Sequence, residues 1–246
     1  MCLSPINLYS PTKAIALRGG QVLKQTVRCG KCAHCQTRLR DEYSFRTYWH
    51  TKDTIDNGGY VLFDTLTYDE ENLPHISDFV DIKKYGIKDF SCFNRQHYKL
   101  FFKRLRRKIE KTYGLVRAIS YFFSTEYGED DRYTHRPHYH ILIFVKRWEI
   151  DPIWLSYAIA ECWQYGRTDG LKYQPLKHVA EHVYGCNLGF GENTDTFVLR
   201  AVTHYLSKYI TKNNLFQKNI NERINIIEHQ LPPDDETYLF ATLKTL

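Results

Sequence analysis

Two histidines one residue apart give the sharpest chemical signal in this 246-residue chain. They lie in Pro137-His138-Tyr139-His140, at the head of an apolar run that ends at Val145. Residues two apart on a strand share a face, so a strand here presents both imidazoles to one side and Tyr139 to the other. Two neutral imidazoles on one face suit a divalent cation. The run 116–126 also reads as a strand, and about eleven residues join it to His138. An antiparallel hairpin then sets Glu126 beside His138, and the correct register gives the carboxylate the same face. Two histidines and a carboxylate leave coordination positions open for a substrate oxygen. The alternative is a pair of surface histidines and an ordinary edge carboxylate.

A second constellation is Tyr205-Leu206-Ser207-Lys208-Tyr209-Ile210-Thr211-Lys212. On a helix, positions i and i+4 are neighbours, so Tyr205 and Tyr209 stack one turn apart, each followed three residues later by a lysine. A tyrosyl oxygen is a competent nucleophile towards phosphorus, and a nearby ammonium balances charge on a phosphate or leaving group. The alternative is an amphipathic helix with half-buried tyrosines. Leu199, Val202, Leu206 and Ile210 already supply an apolar stripe, however, and leave the tyrosines at its edge.

Cys29, Cys32 and Cys35 form a third group, to which Cys2 adds a fourth thiolate. Four thiolates are the usual closed shell of structural zinc. His34 is a weaker fourth ligand, the spacing also occurs in iron–sulfur proteins, and free reduced thiols are the remaining alternative. The 94–112 segment carries Lys99, Lys103, Arg104, Arg106, Arg107, Lys108 and Lys111, either a phosphate-binding surface or a solvated helix face. Arg136 stands beside the histidines and could hold a phosphate or pair with Asp130 or Asp131.

The elements that must position these residues follow from the pattern. A helix spans about 33–50. The β-branched, aromatic run 60–68 is a strand, announced by the Gly58-Gly59 turn. Residues 69–92 are acidic, broken by Pro74 and Gly86, and read as a loop. A helix over 94–112 has Asn94 as its cap and Tyr98, Phe101, Phe102, Leu105 and Ile109 on its apolar face. Strand 138–145 is apolar on both sides, as a central, covered strand is. A helix near 151–165, a strand at 170–176 and the helix 196–212 complete the series. Cys92, Cys162 and Cys186 read as small packing residues, and Trp148, Trp154 and Trp163 as core and rim packing.

Composition agrees with a nucleic-acid partner. The formal charge is +6, aromatic residues are 15%, and there are 19 tyrosines. Residues 1–50 hold eight basic and two acidic side chains, an excess equal to that of the whole chain. No apolar run approaches the ~20 residues a bilayer demands, and the N-terminus lacks a signal-peptide pattern, so membrane and secreted classes are poor readings. No Gly-x-x-x-x-Gly-Lys-[Ser/Thr] phosphate loop is present, so a motor of that type is not indicated.

Together, the His-x-His, the downstream Tyr-x-x-Lys helix and Phe63-Asp64-Thr65-Leu66-Thr67-Tyr68 resemble the HUH superfamily of single-strand DNA endonucleases. Within it, the paired tyrosines, Met1-Cys2-Leu3, the Cys29–Cys35 cluster, Glu126-Tyr127-Gly128 and Arg136-Pro137-His138-Tyr139-His140 resemble the replication initiators of gokushovirus-type microviruses. The resemblance spans roughly residues 1–212. It implies an α+β fold, a central antiparallel sheet of about five strands flanked by helices, with a Cys-rich N-terminal segment. The division expected is a basic, Cys-rich module over 1–50, zinc-stabilised on the four-thiolate reading, an endonuclease domain over 55–212 and, beyond the resemblance, an extension over 213–246. It implies that His138, His140 and Glu126 hold Mg²⁺ or Mn²⁺, that Tyr205 and Tyr209 are nucleophiles, and that Lys208 and Lys212 balance charge. Zn²⁺ is expected at Cys2, Cys29, Cys32 and Cys35, and DNA contacts at Arg136, Lys103, Arg104, Arg107 and Lys108.

The expected activity is nicking of the origin through a 5′-phosphotyrosine ester, leaving a 3′-hydroxyl for rolling-circle replication, followed by closure of the product circle. The expected partners are single-stranded or supercoiled phage origin DNA and the host polymerase and helicase, in the cytoplasm of a bacterial host with no membrane involved. Three other readings stand beside it: an HUH relaxase, transposase or plasmid initiator; a zinc-stabilised DNA-binding protein without catalysis; and a zinc hydrolase that needs no tyrosine.

Overall fold

The computed structural model describes residues 2–9, 24–30, 32–79, 81–86, 88–127 and 136–168. Its elements in chain order are β1 (Ile6–Tyr9), β2 (Lys24–Val27), α1 (Ala33–Asp56), β3 (Tyr60–Tyr68), α2 (Ile82–Tyr85), α3 (Arg95–Tyr113), β4 (Ile119–Tyr127), β5 (Pro137–Val145), α4 (Pro152–Cys162) and β6 (Gly166–Thr168). The class is α+β. Among the described residues the main sheet has four strands, ordered β4-β5-β3-β6 and antiparallel throughout, where about five were expected. β1 and β2 form a separate antiparallel ribbon that the sequence pattern does not announce. The expected strand at 170–176 and the helix 196–212 lie outside the described residues.

Strand β5 is interior, as its two-sided apolar pattern requires, with β4 and β3 on its flanks. One face of the sheet carries Leu62, Leu66, Tyr68, Tyr139, Ile141, Ile143 and Val145, all buried in the main core. Helix α3 covers this face through the five apolar residues read from its sequence. Phe102 stacks on Tyr121 at 3.5 Å, and Tyr98 packs on Phe123 at 4.7 Å. Asn94 caps the helix by accepting from the Gln96 amide, and Gly114 ends it in the left-handed conformation. Helix α4 starts at an Asp151 cap with Pro152 in its first turn.

The opposite face is covered by α1, whose buried side chains are Cys35, Thr47, Thr51 and Thr54. The Thr51 and Thr54 hydroxyls donate to the carbonyls one turn back, so each buries a satisfied donor. His50 meets Ser120 at 2.9 Å and packs on Phe144, while Tyr43 packs on Phe122. The helix runs to Asp56, a turn and a half beyond the expected end, and reaches β3 through Asn57-Gly58-Gly59. A Cβ on Gly59 would stand 2.2 Å from the Val145 carbonyl oxygen, so only glycine lets the turn approach β5 this closely.

Several boundaries differ from expectation. β4 begins at Ile119 because 116–118 forms a turn in which Arg117 has φ 55°. The 69–92 loop contains a 3₁₀ turn (Ile76–Asp78), α2 and a bridge between His75 and Ser91. Trp163 is fully buried and Trp154 half-buried against Tyr113, but Trp148 is 76% exposed and corrects its assignment to packing. Cys92 and Cys162 are buried, as expected of small packing residues.

Beneath the sheet, His97 stacks on Tyr165 at 3.7 Å and its Nε2 accepts from the Asn94 amide. Burial, helped by the Arg104 guanidinium, pushes its pKa down from 6.5 to about 4. The unfolded chain then binds the extra proton first, so this stabilisation is complete above pH 6.5 and is lost as pH falls towards 4. The His97→Phe variant keeps the stacking and removes the titration. In urea titrations it should lose roughly 2 kcal/mol less than wild type on acidification, a value reduced for partial exposure.

Candidate functional site

The pairing of β4 with β5 places Glu126 directly opposite His138, and the pairing of β3 with β5 places Thr65 opposite His140. All four side chains therefore emerge on the face that α1 covers, at the end of the sheet away from His50. Glu126 Oε2 lies 3.1 Å from His138 Nε2 and 2.8 Å from His140 Nε2. The three ligand atoms all fall within 4.8 Å of one another. Glu126 and His140 are each 6% exposed, so the carboxylate is held in a protected place with imidazoles on two sides.

The outward ring nitrogens are also engaged. His138 Nδ1 donates to the Arg136 carbonyl at 3.1 Å. That bond fixes the proton on Nδ1 and turns the Nε2 lone pair of the neutral ring towards Glu126. His140 Nδ1 meets the Thr65 hydroxyl at 3.2 Å, and Phe63 lies parallel to its ring at 6.0 Å. A lone pair and a carboxylate oxygen facing each other call for a cation or a proton between them. Donors around an octahedral Mg²⁺ at about 2.1 Å stand ~3.0 Å apart when adjacent, which the two measured separations bracket. Ser124, opposite His140, has a buried hydroxyl without a hydrogen-bond partner among the described residues. The donor set and this orphaned hydroxyl fit a hydrated divalent cation.

A second cluster joins Cys2, Cys29, Cys32 and Cys35, whose sulfur atoms also lie within 4.8 Å of one another. Three separations are 3.5, 4.0 and 3.9 Å. Four thiolates at about 2.3 Å from a tetrahedral ion stand about 3.8 Å apart. The Cys29 amide donates to Cys2 Sγ and the Cys32 amide to Cys29 Sγ. Backbone amides at Leu3 and Cys35 draw the Cys32 thiol down to about 6, whereas burial pushes Cys35 up to about 12. His34 is not among the four clustered ligands. The cluster sits at the N-terminus of α1, where no side chain caps the helix.

The cations divide. Arg136 donates to the Tyr68 carbonyl at 2.9 Å and pairs with Glu70. Arg104 donates to the Cys162 carbonyl and lies over the Tyr165 ring, and Lys108 pairs with Glu161. These two therefore fasten α3 to the α4 region. Lys103 and Arg107 are exposed. Tyr205, Lys208, Tyr209 and Lys212 lie outside the described residues. Thr65 and Ser124 escape a reading of the sequence because a hydroxyl on a strand carries no signal until the register places it beside a histidine.

With this geometry in place, comparison with known proteins gives the class. The family model for the replication-associated protein ORF2 matches residues 61–214, more than half of the chain, and the chain belongs to that family. It is similar to the replication-associated protein VP4 of Bdellovibrio phage phiMH2K, 27% identical over 190 residues covering 68% of this chain and 52% of that protein. The chain thus spans about half the length of the curated relative it matches. No solved structure matches. Among the described residues no helix is long and apolar enough to cross a membrane.

The Thr65 contact has a measurable consequence. Thr65→Val removes the partner of His140 Nδ1 without changing side-chain shape, and Mn²⁺ affinity measured calorimetrically should fall about tenfold with the fold retained.

Proposed function

We propose that this chain is a phage replication initiator of the HUH type, a metal-dependent single-strand DNA endonuclease and strand transferase. The observation that carries the reading is the convergence of Glu126, His138 and His140 on one sheet face in a chain of a replication-associated family. The divalent ion that these three residues would hold, Mg²⁺ or Mn²⁺, supplies charge neutralisation at the scissile phosphate.

The protein's own steps are these. Tyr205 or Tyr209 attacks phosphorus, a Tyr O–P bond forms and the P–O3′ bond breaks. The tyrosyl proton leaves and the departing 3′-oxygen gains one, so a 3′-hydroxyl is released and the phosphodiester energy is kept in a 5′-phosphotyrosine ester. Lys208 and Lys212 balance the charge that develops. The second tyrosine cuts the regenerated origin after one round of synthesis by the host polymerase and helicase. The freed 3′-hydroxyl then attacks the first ester and closes the circle. Residues 55–212 form the endonuclease domain in this reading. Residues 1–50 are a zinc-stabilised module attached through α1, residues 213–246 are an extension, and the whole acts in the host cytoplasm.

The test is cleavage of single-stranded origin DNA labelled on the 3′ side of the nick, read on a denaturing protein gel. The label should stay on the protein only with Mg²⁺ or Mn²⁺ and vanish in the Tyr205→Phe/Tyr209→Phe variant. His138→Ala should lower its yield by at least about a hundredfold. Cut DNA with no labelled protein would replace this reading with hydrolysis, and binding without cutting would replace it with a non-catalytic role.

The zinc assignment has its own readout. Acid release should give about one zinc per chain in wild type and none in Cys29→Ser/Cys32→Ser, whose melting temperature should fall.

A further inference from the structure

Helix α3 lies on the side of the sheet opposite Glu126, His138 and His140. Arg95, its first residue, is half-buried, and its seven other cations fall into two sets once the helix is placed. Arg104 and Lys108 are engaged by the α4 region. Lys99, Lys103, Arg106, Arg107 and Lys111 are exposed, and none has a carboxylate partner among the described residues. Arg106 lies over the Tyr121 ring at 5.3 Å, at the β4 edge. At about 100° per residue these five occupy one outward arc, with Glu110 the acidic residue of the helix among them. From Lys99 to Lys111 the row is about 18 Å long, the length of roughly five base pairs.

We propose that this row is a docking surface for double-stranded DNA, gripping the phosphate backbone without reading sequence. The ligand is duplex rather than single-stranded because of what is missing between the charges. Single strands are held by aromatic platforms interleaved with cations. Tyr98, Phe101 and Phe102 of α3 are turned into the core, and Tyr113 at its end packs on Trp154. Tyr121, the aromatic beside the row, is already stacked on Phe102 and lies under Arg106, so the row offers charge rather than a stacking platform and matches a duplex backbone. The surface lies on the far side of the sheet from the candidate cleavage site, so it holds flanking duplex while a separated strand occupies the other face. This deepens the proposed function by naming the duplex contact, and rests on that reading. Because binding is measured without divalent metal, a protein that never forms a tyrosyl adduct can still pass.

The experiment compares wild type with Lys99→Gln/Lys103→Gln/Arg107→Gln/Lys111→Gln. It follows the binding of a short duplex and of one of its strands between about 50 and 200 mM salt. Losing four phosphate contacts should flatten the duplex log–log salt slope by about 3 to 4, so wild-type affinity should drop about a hundredfold more than the variant's across that range. The single-strand slope should change by less than about one, and Lys103→Gln alone should flatten the duplex slope by about one. Lys99→Arg/Lys103→Arg/Lys111→Arg should bind duplex as wild type does. An unchanged duplex slope, an equal loss for duplex and single strand, or a loss in the charge-retaining variant would each overturn the assignment.

Discussion

The register between β4 and β5 is the constraint on which both the core and the candidate site depend. Glu126 pairs with His138, and every other pairing along the two strands follows from that one. A shift of one residue would exchange the two faces of β5. Tyr139 would leave the core and the imidazoles would enter it, among Tyr98, Phe123 and Trp163. Tyr139 is 1% exposed and its hydroxyl is satisfied by Tyr68 and Asn94, so its displacement would cost several kcal/mol. The aromatic core therefore enforces the geometry of the polar cluster on the reverse side of the sheet.

The two faces divide the work unequally. One is sealed by α3 and α4 with large apolar side chains, and Trp163 ties it to strand β3 through a hydrogen bond to the Thr67 carbonyl. The other carries Val61, Leu142 and Phe144 at one end and Glu126, His138, His140, Thr65 and Ser124 at the other, and is covered in part by a helix whose buried positions are mainly threonine. Such a face could not fold a chain alone. It exists because the apolar side supplies the burial, and the engagement of Arg104 and Lys108 at the α3–α4 contact belongs to the same side.

Much of this was legible in the chain itself. Strand β3 was readable from its β-branched run, β5 from its unbroken apolar pattern, and α3 from a spacing of five apolar residues behind an asparagine cap. The juxtaposition of Glu126 with His138 followed from hairpin geometry alone. What was not legible has physical reasons. The last turn and a half of α1 is polar on the side it buries, so no hydrophobic period marks it. The β1–β2 ribbon is short and mixed in composition. Trp148 looks like a core residue by type and is exposed because the chain turns outward there. The split among the α3 cations depends on which flank meets α4, and that is a tertiary fact.

The polar underside of α1 bears on the order in which the molecule comes apart. Local opening costs the apolar area exposed, and hydrogen-exchange units follow that cost. Lifting α3 would strip five large side chains from the aromatic core, whereas lifting α1 would uncover threonine methyls, Tyr43 and His50 on the helix and the smaller patch of Val61, Leu142 and Phe144 on the sheet. The threonine hydroxyls would keep their bonds, because these lie within the helix. Helix α1 is therefore the cheaper foldon of the two. The cover over the histidine face can open while the aromatic half of the protein stays intact.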